Sequence, residues 1–190
     1  MRVGLYFGSF NPIHTGHLII ANHVINSTDL QEIWLVISPQ NPLKSHKSLL
    51  NEYHRKLLVD LAVENNDHIR SSAIEFKLPR PSYTIDTLTY LHENYPQHQF
   101  YIIMGSDSFS NIKNWKNYKT LLTSYKIIIY ERPLFPVDPA LLSDSILVLK
   151  APLLDISSTF IRNLLAQKKS IRYLVTESVF EEIERQKFYQ

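Results

Sequence analysis

Six short runs rich in β-branched and aromatic residues recur along the chain, and the stretches between them repeat apolar residues at helical spacing. The extended runs are Val3–Phe7, Glu32–Ser38, Ile69–Leu78, Phe100–Met104, Lys126–Tyr130 and Ile146–Leu149. Helical patterns fall at Leu18–Ile25, Glu52–Glu64, Ser82–Asn94 and Trp115–Leu122, and from Ser157 they continue to the end of the chain. Strand runs alternating with helices predict an α/β fold, a Rossmann-like open, mainly parallel sheet with helices on both faces. Near-continuous apolar strands are what a sheet covered on both faces requires. A helical C-terminal cap from about residue 157 completes the expected architecture. The one break in the alternation is the loop with Pro133, Pro136 and Pro139. A strand pattern resumes after it, so residues 1–190 are expected to form a single domain.

In an open parallel sheet, ligands bind beyond the carboxyl ends of the strands at a reversal of strand order. The chain has only four glycines, Gly4, Gly8, Gly16 and Gly105, where average usage would give about thirteen. Two of them, Gly8 and Gly105, stand directly after predicted strands. Their spacing excludes the G-x-G-x-x-G fingerprint, and no Gly-Lys-Ser/Thr ends a phosphate loop. With no cysteine, disulfides, thiolate metal sites and cysteine nucleophiles are excluded, and a reducing compartment fits. A net charge of +2 predicts no broad nucleic-acid footprint. No apolar run is long enough to cross a bilayer, so no membrane partner is expected and a cytoplasmic location is.

The first predicted strand runs into Gly8-Ser9-Phe10-Asn11-Pro12-Ile13-His14-Thr15-Gly16-His17. Asn11 before Pro12 predicts an extended, stiff loop. His14 and His17, three residues apart at a helix start, share one face beside unpaired backbone N–H groups. Two imidazoles at a helix N-terminus make a site for phosphate. A metal pair fits less well, because no third ligand is near, and no metal ligands are assigned. The second constellation is Asp155-Ile156-Ser157-Ser158-Thr159-Phe160-Ile161-Arg162. Ser and Thr begin a helix here, which predicts Arg162 in its first turn. A cation there opposes the helix dipole unless an anion sits between it, the hydroxyls and the free N–H groups.

Together these segments resemble the nucleotidyltransferase superfamily, with H-x-G-H as His14–His17 and I-S-S-T-x-x-R as Ile156–Arg162. Within it the chain is similar over nearly its whole length to bacterial nicotinate-nucleotide adenylyltransferases. Further matches are Pro81-Ser82-Tyr83-Thr84, Gly105-Ser106-Asp107 with Trp115 downstream, and Glu131-Arg132-Pro133. The resemblance implies transfer of AMP from ATP to nicotinate mononucleotide, with His14, His17 and Arg162 as catalytic cations or donors around the phosphates. It implies ATP contacts from Gly8, Ser9, Phe10, Gly16, Gly105, Asp107, Arg132, Ser158 and Thr159. It further implies mononucleotide contacts from Lys44, Tyr83, Thr84 and Trp115, with Mg²⁺ held mainly by the ATP phosphates. A homo-oligomer is compatible with it. Similar chains often carry Pro-Pro-His-Lys where this one has Asn41-Pro42-Leu43-Lys44, leaving Lys44, His46 or Lys47 to meet the mononucleotide phosphate. Competing readings are transfer to nicotinamide mononucleotide or to pantetheine phosphate, a cytidylyltransferase, and a non-catalytic nucleotide sensor on the same scaffold.

Overall fold

The computed structural model describes residues 1–40, 49–152 and 154–189. Six strands, β1 (Arg2–Gly8), β2 (Glu32–Ile37), β3 (Ile69–Ser72), β4 (Gln99–Gly105), β5 (Lys126–Tyr130) and β6 (Ile146–Leu149), make one sheet. Every pairing is parallel, in the order β3-β2-β1-β4-β5-β6. After β3 the chain returns to the other side of β1, so the reversal of strand order lies between β1 and β4.

The strands are connected and covered by α1 (Thr15–Ser27), α2 (Glu52–Val63), α3 (Thr84–Asn94), α4 (Ser106–Phe109) and α5 (Tyr118–Ser124), followed by α6 (Ser158–Ala166) and α7 (Glu177–Gln186). The two-residue period of each strand sends alternate side chains to opposite faces. Tyr6, Leu35, Ile37, Ile103 and Ile128 pack with Ile20 and Val24 of α1, Leu58 of α2, Ile161 of α6 and Ile183 of α7. Leu5, Val36, Ile102, Met104 and Ile129 pack on the other side with Leu88 and Leu91 of α3, Phe109 of α4 and Leu121 of α5. Each such side chain stabilises the fold by about 1.5–3 kcal/mol when fully withdrawn from water. Because both faces are covered, the inner strands carry no polar alternation, which is why they read as continuous apolar runs.

Three local expectations are corrected. The extended stretch from Ile69 ends at Ser72, and Ile74–Lys77 forms a 3₁₀ turn. That turn carries Glu75 inward, where Ser82 and Thr87 donate to its carboxylate. The helix expected from Trp115 starts at Tyr118, because Asn117 adopts a left-handed conformation (φ 52°). The segment from Ser157 is not helical throughout: α6 and α7 are separated by a non-helical stretch. Lys168 and Tyr173 have positive φ between them, and Arg172 bridges to Val175. The Pro-rich loop leads β6 back onto the edge of the same sheet beside β5. Among the described residues no helix is long and apolar enough to cross a membrane.

Candidate active site

The loop leaving β1 is shaped by its own aromatic ring. Phe10 has φ 43°, is 1% exposed, and lies beneath Gly8. A Cβ on Gly8 would stand 2.8–3.0 Å from three atoms of that ring. Asn11 and Pro12 lie in a turn, where the sequence suggested extension, and the bond between them is cis. His14 then N-caps α1 in an extended conformation, and its backbone N–H donates to His17 Nδ1 at 3.3 Å. That bond leaves the proton of a neutral His17 on Nε2. The two imidazoles stack, with centroids 3.7 Å apart and planes at 29°. Gly16 admits this stack, since a Cβ there would lie 3.0 Å from His14 Nδ1.

His14 is buried, and that burial, with Arg132 nearby, pushes its pKa from 6.5 down to about 4. That shift favours the neutral imidazole at pH 7 in the ligand-free protein, so of the two expected roles, cation or donor, His14 starts as a donor. Its Nδ1 is buried without a hydrogen-bond partner, a cost that a ligand with a complementary group would remove.

The second motif meets the first directly. Ser157 Oγ accepts from the Phe160 N–H at 3.1 Å and caps α6. Ser158 Oγ donates to the Pro12 carbonyl at 2.9 Å, and Arg162 Nη1 donates to the Asn11 carbonyl at 2.7 Å. Arg162 Nη2 also reaches Thr159 Oγ1 at 3.2 Å. With the cap at Ser157, Arg162 is the fifth residue of α6, just past the first turn in which it was expected. Its guanidinium nevertheless turns back toward the β1 loop.

Beside this cluster a cleft of about 700 Å³ opens at the carboxyl ends of β1 and β4. Gly8, Ser9, Gly105, Asp107, Tyr83, Thr84 and Trp115 all line it. Asp107 folds back over Gly105, so a Cβ at 105 would collide with its carboxylate and stand 3.0 Å from the Tyr130 ring. Arg132 Nε lies 3.3 Å from Asp107 Oδ1, and the Arg132 N–H donates to Ser106 Oγ at 2.8 Å. Tyr83 N-caps α3, and Lys116, paired with Asp86 at 2.8 Å, sits 4.9 Å above the Tyr83 ring. Tyr6 joins cleft and cluster: it lines the cleft, and its ring meets that of His17 edge-on at 6.2 Å. Lys44 and the substituted Leu43 lie outside the described residues.

A family model described as cytidylyltransferase-like matches residues 5–164. A probable nicotinate-nucleotide adenylyltransferase of Cytophaga hutchinsonii is 50% identical over 189 residues, spanning 100% of this chain and 98% of its own. One from Flavobacterium psychrophilum is 44% identical across 100% of both chains. The chain belongs to the nicotinate-nucleotide adenylyltransferases of the cytidylyltransferase-like family. The Plasmodium falciparum nicotinic acid mononucleotide adenylyltransferase complexed with NaAD shares the architecture with a TM-score of 0.83. It is 25% identical, with 99% of this chain and 97% of that one covered.

Two residues of this family member were not singled out from the sequence. Arg55 of α2 has no exposed surface and faces main-chain carbonyls: Ser9 at 2.6 Å, Ser38 and Leu50 at 2.8 Å, and Pro39 at 3.1 Å. It ties the loops after β1 and β2 together. Burial lowers its pKa from the usual arginine value. Its position three and four residues before Leu58 and Val59 places it on the apolar helix face, a readable signal. Glu75 is 2% exposed and also lines the cleft, accepting from Ser82 Oγ at 2.6 Å and Thr87 Oγ1 at 2.9 Å. Burial raises its pKa above the usual carboxylate value. No local pattern marked it, because its partners are seven and twelve residues away.

Proposed function

We propose that the chain moves AMP from ATP to nicotinate mononucleotide, giving nicotinate adenine dinucleotide and pyrophosphate. The observation that carries this reading is the docking of Arg162 and Ser158 onto the carbonyls of Asn11 and Pro12. It ties an arginine to the loop that leads into the histidine stack, beside the cleft at the carboxyl ends of β1 and β4. Membership of the family and its likeness to a protein complexed with NaAD support the same assignment.

In the reaction a mononucleotide phosphate oxygen bonds to the α-phosphorus of ATP. The bond from that phosphorus to the bridging oxygen breaks, and pyrophosphate leaves with the electron pair. A phosphate monoester has a second pKa near ~6, so the nucleophile is largely dianionic at neutral pH without a general base. The protein's task is alignment and charge stabilisation. Arg162 supplies a fixed cation, and His17 supplies an Nε2–H donor. His14 enters as a neutral donor, and a triphosphate beside it favours its protonated form. Thr159 and the first N–H groups of α6 complete the cradle, Ser158 holding the β1 loop through the Pro12 carbonyl, with Gly8, Ser9, Phe10 and Gly16 shaping it.

Adenosine is assigned to the turn at Gly105 with Asp107 and Arg132, and the pyridine ring to Trp115 with Tyr83 and Thr84. Lys44 is assigned to the mononucleotide phosphate. Among the described residues no three His, Asp or Glu side chains gather to hold a metal, and Asp107 is engaged by Arg132. Mg²⁺, bound to the ATP phosphates, would offset their charge, and none of the chain's own carboxylates is assigned to it. Work in the cytoplasm as one domain completes the proposal.

Pyrophosphate release measured with ATP and a panel of acceptors tests the reading. Nicotinate mononucleotide should be turned over best, ahead of nicotinamide mononucleotide and pantetheine phosphate, and CTP should not replace ATP. Equal or faster turnover of the amide would overturn the acceptor assignment. His17→Ala should lower kcat by roughly 10²–10³, the size of losing a transition-state donor, with the fold retained. Normal turnover in that variant removes His17 from the chemistry.

A further inference from the structure

We infer that Tyr189 is a positioning residue for the triphosphate cluster, because its hydroxyl holds the side chain of the residue whose carbonyl fixes Arg162. The inference rests on the function proposed above. Tyr189 O–H donates to Asn11 Oδ1 at 2.9 Å, and the Leu50 N–H donates to the same oxygen at 3.1 Å. Two donors occupy both lone pairs of that amide oxygen and fix the rotation of the side chain. The main-chain oxygen of Asn11 receives Arg162 Nη1 at 2.7 Å. Asn11 is 4% exposed and lies three residues before His14, so displacing it moves both the guanidinium and the loop that feeds the histidine stack.

The stretch after α7 is directed to this point by features of its own. Lys187 takes a left-handed conformation (φ 54°) that ends the helix, and the Phe188 N–H closes the turn on the Ile183 carbonyl at 3.1 Å. Phe188 is 8% exposed, and its ring stacks on His54 of α2 with centroids 4.8 Å apart. Tyr189 itself has φ 65°, a conformation that is uncommon outside glycine and needs surrounding contacts to persist. A hydrophobic anchor alone would need only Phe188. The phenol adds a directed hydrogen bond to a loop 178 residues away in sequence.

Tyr189→Phe removes the hydroxyl and keeps the ring. The experiment reads kcat, KM for each substrate, the melting temperature, and Mg–ATP affinity by titration calorimetry without the second substrate. Loss of one hydrogen bond from a positioned network should lower kcat/KM for ATP about three- to tenfold. KM for nicotinate mononucleotide should stay at its wild-type value, and the melting temperature should fall by no more than about 2–4 °C, the size of one hydrogen bond. Unchanged kcat/KM for ATP with unchanged ATP affinity overturns the inference. So does an equal loss for both substrates accompanied by a larger fall in melting temperature, the signature of a plug that only stabilises the fold. If the wild-type protein makes no dinucleotide from these substrates, the functional reading fails by itself. Mg–ATP affinity still decides the inference then: weaker binding in Tyr189→Phe supports it, and equal binding overturns it.

Discussion

At the scale of single residues, each of the four glycines makes room for a neighbouring side chain, and none has positive φ. Gly4 lies under Ile103 and Leu30, Gly8 under Phe10, Gly16 under His14, and Gly105 under Asp107 and Tyr130. From the sequence, three of them marked places where backbone approaches a ligand. The room left by the missing Cβ is taken by Phe10, His14 and Asp107, themselves proposed contacts, while Gly8 and Gly105 line the cleft as well. Gly8→Ala should therefore press on the enclosed Phe10 ring and cost about 1–3 kcal/mol of stability, read by urea unfolding. His14 gives a second expected outcome. Its folded pKa of about 4 lies below the unfolded 6.5, so the unfolded state takes the proton first as pH falls. The contribution of His14 to the stability of the ligand-free protein is present above pH 6.5 and is lost toward pH 4, about 3 kcal/mol in full. Unfolding curves across that range should show the decline in wild type and its loss in His14→Gln.

At the scale of elements, the loops at the carboxyl ends of the strands are held from behind by donors on other elements. Arg55 of α2 holds Ser9, Ser38, Pro39 and Leu50, while Ser158 and Arg162 of α6 hold Pro12 and Asn11. Arg55→Met would fill the volume and leave four carbonyls without that donor. Since a buried acceptor left unpaired costs about 1–3 kcal/mol, the total loss should exceed about 3 kcal/mol by chemical denaturation. Strands were legible in the sequence because burial on both faces leaves a pattern within a few residues. The 3₁₀ turn at Ile74–Lys77 was not, because it answers to hydroxyls on Ser82 and Thr87 rather than to periodicity. The site divides in the same way. His14–His17 and Ser157–Arg162 carry local spacing, whereas the bond from Arg162 to Asn11 joins residues 151 apart and left no trace in either segment.

At the scale of the whole molecule, the strand order places the cleft between β1 and β4 while α1, α2, α6 and α7 share one face. A single sheet with both faces covered should unfold in one cooperative transition. A ligand at a hundred times its Kd adds about 2.7 kcal/mol to the native state. For a chain of this size saturating Mg–ATP should raise the melting temperature by about 5–10 °C while keeping that transition single, as scanning calorimetry would show. Two transitions, with only one shifted by ATP, would mean that the sheet is divided into separately folding parts.

The reach of α6 back to residues 11 and 12 also orders events during synthesis. A nascent chain whose last emerged residue precedes Ser158 already contains all six strand segments and both histidines, yet it lacks the donors that fix the first loop. Domains begin to fold from the N-terminal side as they leave the ribosome. Ribosome-bound intermediates of this protein should therefore retain ATP only after α6 has emerged, which spares the cell half-made copies that sequester a nucleotide without using it.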